Sequence, residues 1–163
     1  MLRADNNLAN GMKGMAMNKV IYMIVFALVL PVYAGSVPQD SEKAAQYFQD
    51  ELNYNTNAYG VKQAIDNKAT DITIVDVRLA KDFAKGHIPG AINLPYDQYA
   101  TFEGTEPEFP GLRKDGYNYV YCYTADCNLA QKAARKFALL GYPVKEVVGG
   151  FAAWRDHKYP VER

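Results

Sequence analysis

Cys122 and Cys127 are the residues whose type and spacing best suit covalent chemistry, and they bound the stretch Cys122-Tyr123-Thr124-Ala125-Asp126-Cys127, followed by Asn128. A thiolate is a nucleophile that can carry sulfur or enter a disulfide, and it forms near neutral pH where amides or a helix N-terminus stabilise its charge. The loop is placed for that. It follows the strand-like run Asn118-Tyr119-Val120-Tyr121 and precedes a helix over residues 129–140. There Leu129, Ala133, Phe137 and Leu140 form one apolar stripe and Gly141 stands at the C′ position. A strand-to-helix switch lets backbone N–H groups converge on Cys122 as an anion-binding nest, which predicts a thiol pKa lowered from about 8.5 toward neutrality. Elsewhere in a strand, such a cysteine would simply be a small buried hydrophobe. Cys127 admits two readings. Within bridging distance it is a resolving or redox partner of Cys122, and otherwise it only shapes the loop.

The elements that must hold this loop alternate between the two periodicities. Val61, Ala64 and Ile65 mark a helical face, and Ile72-Thr73-Ile74-Val75-Asp76-Val77 is a β-branched strand. Leu79 and Phe83 predict a short helix stopped by Gly86 and Pro89, and Ala91-Ile92-Asn93-Leu94 a second strand. Residues 95–116 form a long irregular connection before the third strand. Glu146-Val147-Val148 is the fourth, Gly149-Gly150 a turn, and Phe151 opens a last helical turn that ends at Trp154. Such alternation predicts an α/β fold, a mostly parallel central sheet flanked by helices on both faces. Ligands of these sheets bind at the carboxyl ends of strands, which singles out Cys122 and the segment Asp76-Val77-Arg78. Asp76 and Arg78 are expected to fix that loop by a charge-assisted hydrogen bond, with Arg78 lending positive potential to the pocket. Arg113 and Lys114 read as a solvated surface pair or, failing that, as the cations beside the loop. His87 reads as structural, His157 as exposed and Trp154 as core.

In order and spacing, Asp76-Val77-Arg78, Gly86-His87-Ile88-Pro89-Gly90-Ala91-Ile92-Asn93, Tyr121-Cys122 with its loop, and Gly149-Gly150-Phe151 with Trp154 resemble the rhodanese-homology family over about residues 59–154. The resemblance implies a rhodanese-like domain, cofactor-free and monomeric. In it Cys122 takes a sulfane sulfur from thiosulfate or a thiol persulfide, holds it as a persulfide and passes it to cyanide or a thiol. It also implies that Tyr123, Thr124, Ala125, Asp126, Cys127, Asn128 and Arg78 bind substrate. A phosphatase needs an arginine to hold the phosphoryl oxygens, and Asn128 stands at that position. Two features depart from the family's pattern. The loop carries no cation and one carboxylate, Asp126, which points to a neutral or thiol-borne donor, with Thr124 supplying a hydroxyl and Asn128 capping the helix. Ala125 replaces a common glycine, so a positive φ there would be strained. Two other classes compete: a thiol–disulfide redox protein cycling Cys122 and Cys127, and a non-catalytic binding module whose Cys122 alkylates no faster than a free thiol.

Residues 20–30, VIYMIVFALVL, are apolar without a break, preceded by Lys13 and Lys19 and followed by Pro31-Val32-Tyr33-Ala34 and then Gly35-Ser36. That is a signal-peptide pattern over residues 1–34, cut after Ala34, and it predicts a periplasmic or secreted protein. The alternative is an uncleaved membrane anchor, although the run is short of the roughly 20 residues a span needs. Residues 35–57 then form a polar N-terminal extension, with an amphipathic stretch at Ala44-Ala45-Gln46-Tyr47-Phe48, and residues 58–163 the domain. Eighteen basic residues balance eighteen acidic ones, and without a basic cluster no nucleic-acid partner is expected. Two cysteines and two histidines match no zinc-ligand spacing. An exporting compartment also oxidises thiols, which makes a loop with two of them chemically consequential.

Overall fold

A computed structural model describes residues 40–100 and 109–163. The signal-peptide reading of residues 1–34, with its cut after Ala34, lies outside the described residues, as does the middle of the 95–116 connection. The chain divides into two units between Ala45 and Gln46. Of the first, residues 40–45 are described, and they open a helix.

Five strands form one sheet, in the order β1-β5-β4-β2-β3, and every neighbouring pair is parallel. They are β1 (Asn55–Asn57), β2 (Ile72–Asp76), β3 (Ile92–Asn93), β4 (Tyr117–Tyr121) and β5 (Val144–Val148). The helices are α1 (Ser41–Tyr54), α2 (Ala58–Asp66), α3 (Ala80–Phe83), α4 (Leu129–Leu139) and α5 (Gly150–Asp156). Alternation along the strands sorts side chains to two cores. Val75, Val77, Val120 and Cys122 point to the α4 side, among Ala130, Ala133 and Phe137. Ile74, Tyr121 and Val147 point to the other, against Ala58 and Val61 of α2 and Phe151 and Trp154 of α5. Both faces are therefore covered, as the continuous apolar runs of β2 and β4 require.

Two elements differ from the sequence reading. β1 is Asn-Thr-Asn, without an apolar residue to report it, yet it pairs Thr56 with Val147 of β5. Its last residue caps α2, because the Asn57 side chain accepts from the Gly60 amide at 3.0 Å. The helix around residues 44–48 extends over fourteen residues and buries none of them.

At the amino end of β4, the buried Asn118 side chain donates to the carbonyls of Arg113 and Pro143 and accepts from the Arg113 amide, at 2.8, 2.8 and 2.9 Å. That clamp sets where β4 begins and, five residues on, where Cys122 emerges. The near end of the 95–116 connection and its return pack on α4. Tyr99, Phe109 and Phe137 meet at ring-centroid distances of 4.9–5.6 Å.

Candidate active site

Cys122 follows the last residue of β4, the central strand, and is 2% exposed. Its neighbours in the loop turn back on it. The Cys127 amide donates to the Thr124 carbonyl at 3.2 Å. The Cys122 thiol in turn donates to the Cys127 carbonyl at 3.0 Å, and a longer contact of 3.9 Å reaches the Thr124 carbonyl. Amides of Tyr123 and Ala130 hydrogen-bond the Cys122 sulfur, and those of Tyr123, Leu129 and Thr124 serve Cys127. Cys122 and Cys127 pack against the same core, and both are free thiols within hydrogen-bonding reach of each other.

The expectation that Asn128 caps the helix is not met. Asn128 occupies the N-cap position of α4, but its side chain makes no capping bond. The first amides of α4 are instead turned on the two sulfurs, which is where a helix N-terminus binds negative charge. The positive-φ residues other than glycine are Lys68 and Lys158 among the described residues, so the loop passes Ala125 without the expected strain. Thr124, Ala125, Asp126 and Asn128 are exposed, and Tyr123 and Cys127 half-buried.

A second correction concerns ionisation. Burial pushes the Cys122 thiol up to about 12, aided by hydrogen bonding to Cys127, and this outweighs the two amides that favour the thiolate. Its bond to the Cys127 carbonyl requires the S–H proton and acts in the same sense. Cys127 goes the other way. Burial works against its thiolate, but the hydrogen bond from Cys122 and the loop amides prevail and lower its pKa. The loop thus places its first negative charge on Cys127.

Below the loop, Gly149 and Gly150 fulfil the expected close approach. Both have positive φ, +87° and +59°, and a Cβ on Gly150 would stand 2.7 Å from the Cys122 carbonyl oxygen. That space lets the first amides of α5 hold the loop, Phe151 N–H to the Cys122 carbonyl and Ala152 N–H to the Tyr123 carbonyl, each at 2.9 Å.

Arg78 is 4% exposed and fully engaged with Asp76, Nη2 to Oδ2 at 2.6 Å and Nε to both carboxylate oxygens at 3.0 Å. It also donates to the Gly86 carbonyl at 2.8 Å, and its guanidinium lies 4.0 Å from the centre of the Phe151 ring. This bidentate pair joins the loop after β2 to α5. His87 stacks on Phe83 with centroids 3.7 Å apart, and its Nδ1 faces the Phe83 carbonyl. That pinned ring is structural, as read. His157 is exposed, and Trp154 is wholly buried, donating Nε1–H to the Pro160 carbonyl at 2.7 Å.

Arg113 and Lys114 do not face the loop. Arg113 bonds Thr70 and Asp115 at the amino ends of the strands, opposite Cys122, and Lys114 lies over the Tyr142 ring. Of the cations near the loop, the sequence reading named Arg78 and passed over Lys85, Arg155 and Arg163. A cavity of about 560 Å³ beside Tyr123 and Thr124 is lined by Arg78, Lys85, Arg155 and Arg163. Lys85 pairs with Asp82 at 3.1 Å, and Asp82 also accepts from the Tyr123 hydroxyl at 2.8 Å. Arg163 arrives because residues 87 and 162 pair as an antiparallel bridge and fold the C-terminal segment back. Only Arg155 carried a signal in the sequence, one helical turn beyond Phe151.

A family model described as Rhodanese-like domain matches residues 57–157. The chain belongs to the rhodanese-like domain family. Among its relatives, the thiosulfate sulfurtransferase GlpE of Pseudomonas putida is 36% identical over 103 residues, covering 62% of this chain and 86% of that protein. An HTH-type transcriptional regulator of Mycobacterium tuberculosis is 35% identical over 95 residues, 58% of this chain. The chain spans only 39% of that regulator, so the rhodanese-like domain occurs there as one part of a larger protein. A Bacillus halodurans protein of known structure is 32% identical with a TM-score of 0.62, over 76% of this chain and 86% of that one. Relatives of the chain thus include both a thiosulfate sulfurtransferase and a transcriptional regulator, and the all-parallel five-stranded sheet is the architecture expected.

Proposed function

We propose that this protein is a sulfurtransferase that carries sulfane sulfur as a persulfide on Cys122. The observation that carries the reading is the position of Cys122 at the end of the central strand, with the Tyr123 and Ala130 amides on its sulfur. Those donors suit the anion that a persulfide presents there. In the forward half-reaction the Cys122 thiolate attacks the outer sulfur of thiosulfate or of a thiol persulfide. A sulfur–sulfur bond forms to Cys122, and sulfite or the donor's thiolate leaves with the electron pair of the broken one. Cyanide or an acceptor thiolate then takes the outer sulfur and restores the Cys122 thiolate.

The cationic cavity bears on the donor. The active loop itself has no cation, which favours neutral donors, but Lys85, Arg155 and Arg163 supply positive charge alongside it, and this supports an anionic donor. We also read residues 1–34 as an export signal, so that the domain works outside the cytoplasm.

Intact-mass spectrometry of the reduced protein after exposure to thiosulfate, and separately to a thiol persulfide, tests the chemistry. The Cys127→Ser chain is expected to gain one sulfur atom, and the gain should disappear when Cys122 is replaced as well. Absence of any sulfur-bearing species in protein with Cys122 intact and Cys127 replaced would overturn it.

A further inference from the structure

We propose that Cys127 discharges the Cys122 persulfide within the loop, so that the protein converts sulfane sulfur to free hydrosulfide and is left with a Cys122–Cys127 disulfide. The inference rests on the persulfide reading above and adds a second reaction to it.

Three observations carry the step. First, the Cys122 sulfur lies 3.0 Å from the carbonyl oxygen of Cys127 itself and within hydrogen-bonding reach of the Cys127 thiol, so the attacking and attacked sulfurs already share one loop. Second, both side chains lie against the α4-side core. Third, access is divided between them: Cys122 is 2% exposed, whereas Cys127 is half-buried. An external thiol therefore meets Cys127 more readily than a sulfur held over Cys122. The preference for negative charge on Cys127 acts in the same direction, since the thiolate fraction of the attacking group sets the rate of exchange.

The balance is as follows. The Cys127 thiolate attacks Cys122 Sγ, the inner sulfur of the Cys122–S–SH persulfide. A bond forms between the two cysteine sulfurs, and the bond from Cys122 Sγ to the outer sulfur breaks. The outer sulfur leaves with that electron pair and its proton as HS⁻. The sulfane sulfur is reduced, the two cysteines are oxidised to the disulfide, and no other oxidant enters. Two equivalents of an external thiol then return the pair to dithiol and become its disulfide. Across one turnover with thiosulfate, two thiols and thiosulfate yield one thiol disulfide, sulfite and sulfide.

The experiment adds one equivalent of thiosulfate, or of a thiol persulfide, to reduced protein under anaerobic conditions without free thiol, quenches in acid, and measures intact mass and released sulfide. Cys127→Ser and Cys127→Ala are run beside the wild type, so that misfolding of one variant does not decide the result. The wild type is expected to end two hydrogens lighter, with about one equivalent of sulfide released per chain and Cys122 linked to Cys127 in the peptide map. Both variants should end one sulfur heavier and lose the sulfide release until thiol is added. A wild type that keeps the extra sulfur as the variants do would overturn the inference and leave the Cys122 carrier chemistry standing. No sulfur on either variant, together with no sulfide released by the wild type, would instead overturn the carrier chemistry, and this step with it.

Discussion

Placing the loop's first charge on Cys127 reverses what a cysteine at a strand-to-helix switch leads one to expect. Amides and a helix N-terminus do point at Cys122, but its near-complete burial opposes the charged form and its S–H proton is tied to the Cys127 carbonyl. Desolvation wins because the amides act on a sulfur that has lost its water. Iodoacetamide at neutral pH should therefore modify Cys127 before Cys122, read by peptide mapping at partial reaction. Part of the upward push on Cys122 comes from hydrogen bonding with Cys127 and from its charge. Cys127→Ser removes the charge and weakens the bond, which favours the thiolate. The pH profile of Cys122 alkylation should consequently move to lower pH in that variant. A profile that stays in place would mean that burial alone sets the reactivity of Cys122.

At the scale of elements, the loop is suspended between α4 above and α5 below, and the glycine at the start of α5 sets the gap. Gly150 and Gly141 make a controlled pair, since both have positive φ, +59° and +83°, but only at Gly150 would a Cβ meet backbone, 2.7 Å from the Cys122 carbonyl oxygen. Nothing stands within 4 Å of a Cβ at Gly141. Gly141→Ala should cost about 1 kcal/mol, the left-handed penalty alone. Gly150→Ala should cost more, of order 2–4 kcal/mol, and displace the loop as well. Thermal unfolding of the two variants checks the order, and equal losses would show that the contact with the loop relaxes freely. This level also marks what could be read without the structure. β2, β4 and α4 were legible because buried strands and an apolar helix stripe write their burial into residue type, and the Gly149-Gly150 pair announced a tight backbone. β1 was not, because an edge strand of Asn-Thr-Asn is held by its ladder to β5 and by its cap on α2, neither of which leaves a hydrophobic pattern. The bare N-cap at Asn128 was hidden for a related reason: its residue type suits capping, and only the position of two sulfurs shows what the amides serve instead.

For the molecule as a whole, eighteen basic and eighteen acidic residues cancel, and composition alone offers an anionic donor nothing. The fold redistributes that balance. Lys85 follows α3, Arg155 lies on α5 and Arg163 is brought in by the bridge between residues 87 and 162, so three distant segments contribute to one cavity beside Tyr123. Asp82 offsets part of this charge by pairing with Lys85, and Arg78 is committed to Asp76. Arg155 and Arg163 therefore remain as the lining cations with no carboxylate partner among the described residues, and because Arg163 donates to the Lys85 carbonyl at 3.3 Å, Arg155 is the one to reverse. It is exposed, so its reversal should leave the fold intact. Arg155→Glu should lower kcat/KM for thiosulfate by about tenfold, equivalent to ~1.4 kcal/mol of transition-state stabilisation, with an unchanged unfolding temperature. Raising ionic strength should weaken the wild-type reaction in the same way, because charges at a solvent-open mouth are screened over about 10 Å at 0.1 M salt. A neutral persulfide donor supplies the internal control. Its rate should respond to neither change, and a parallel loss with that donor would mean that Arg155 supports the loop's geometry rather than its attraction for anions.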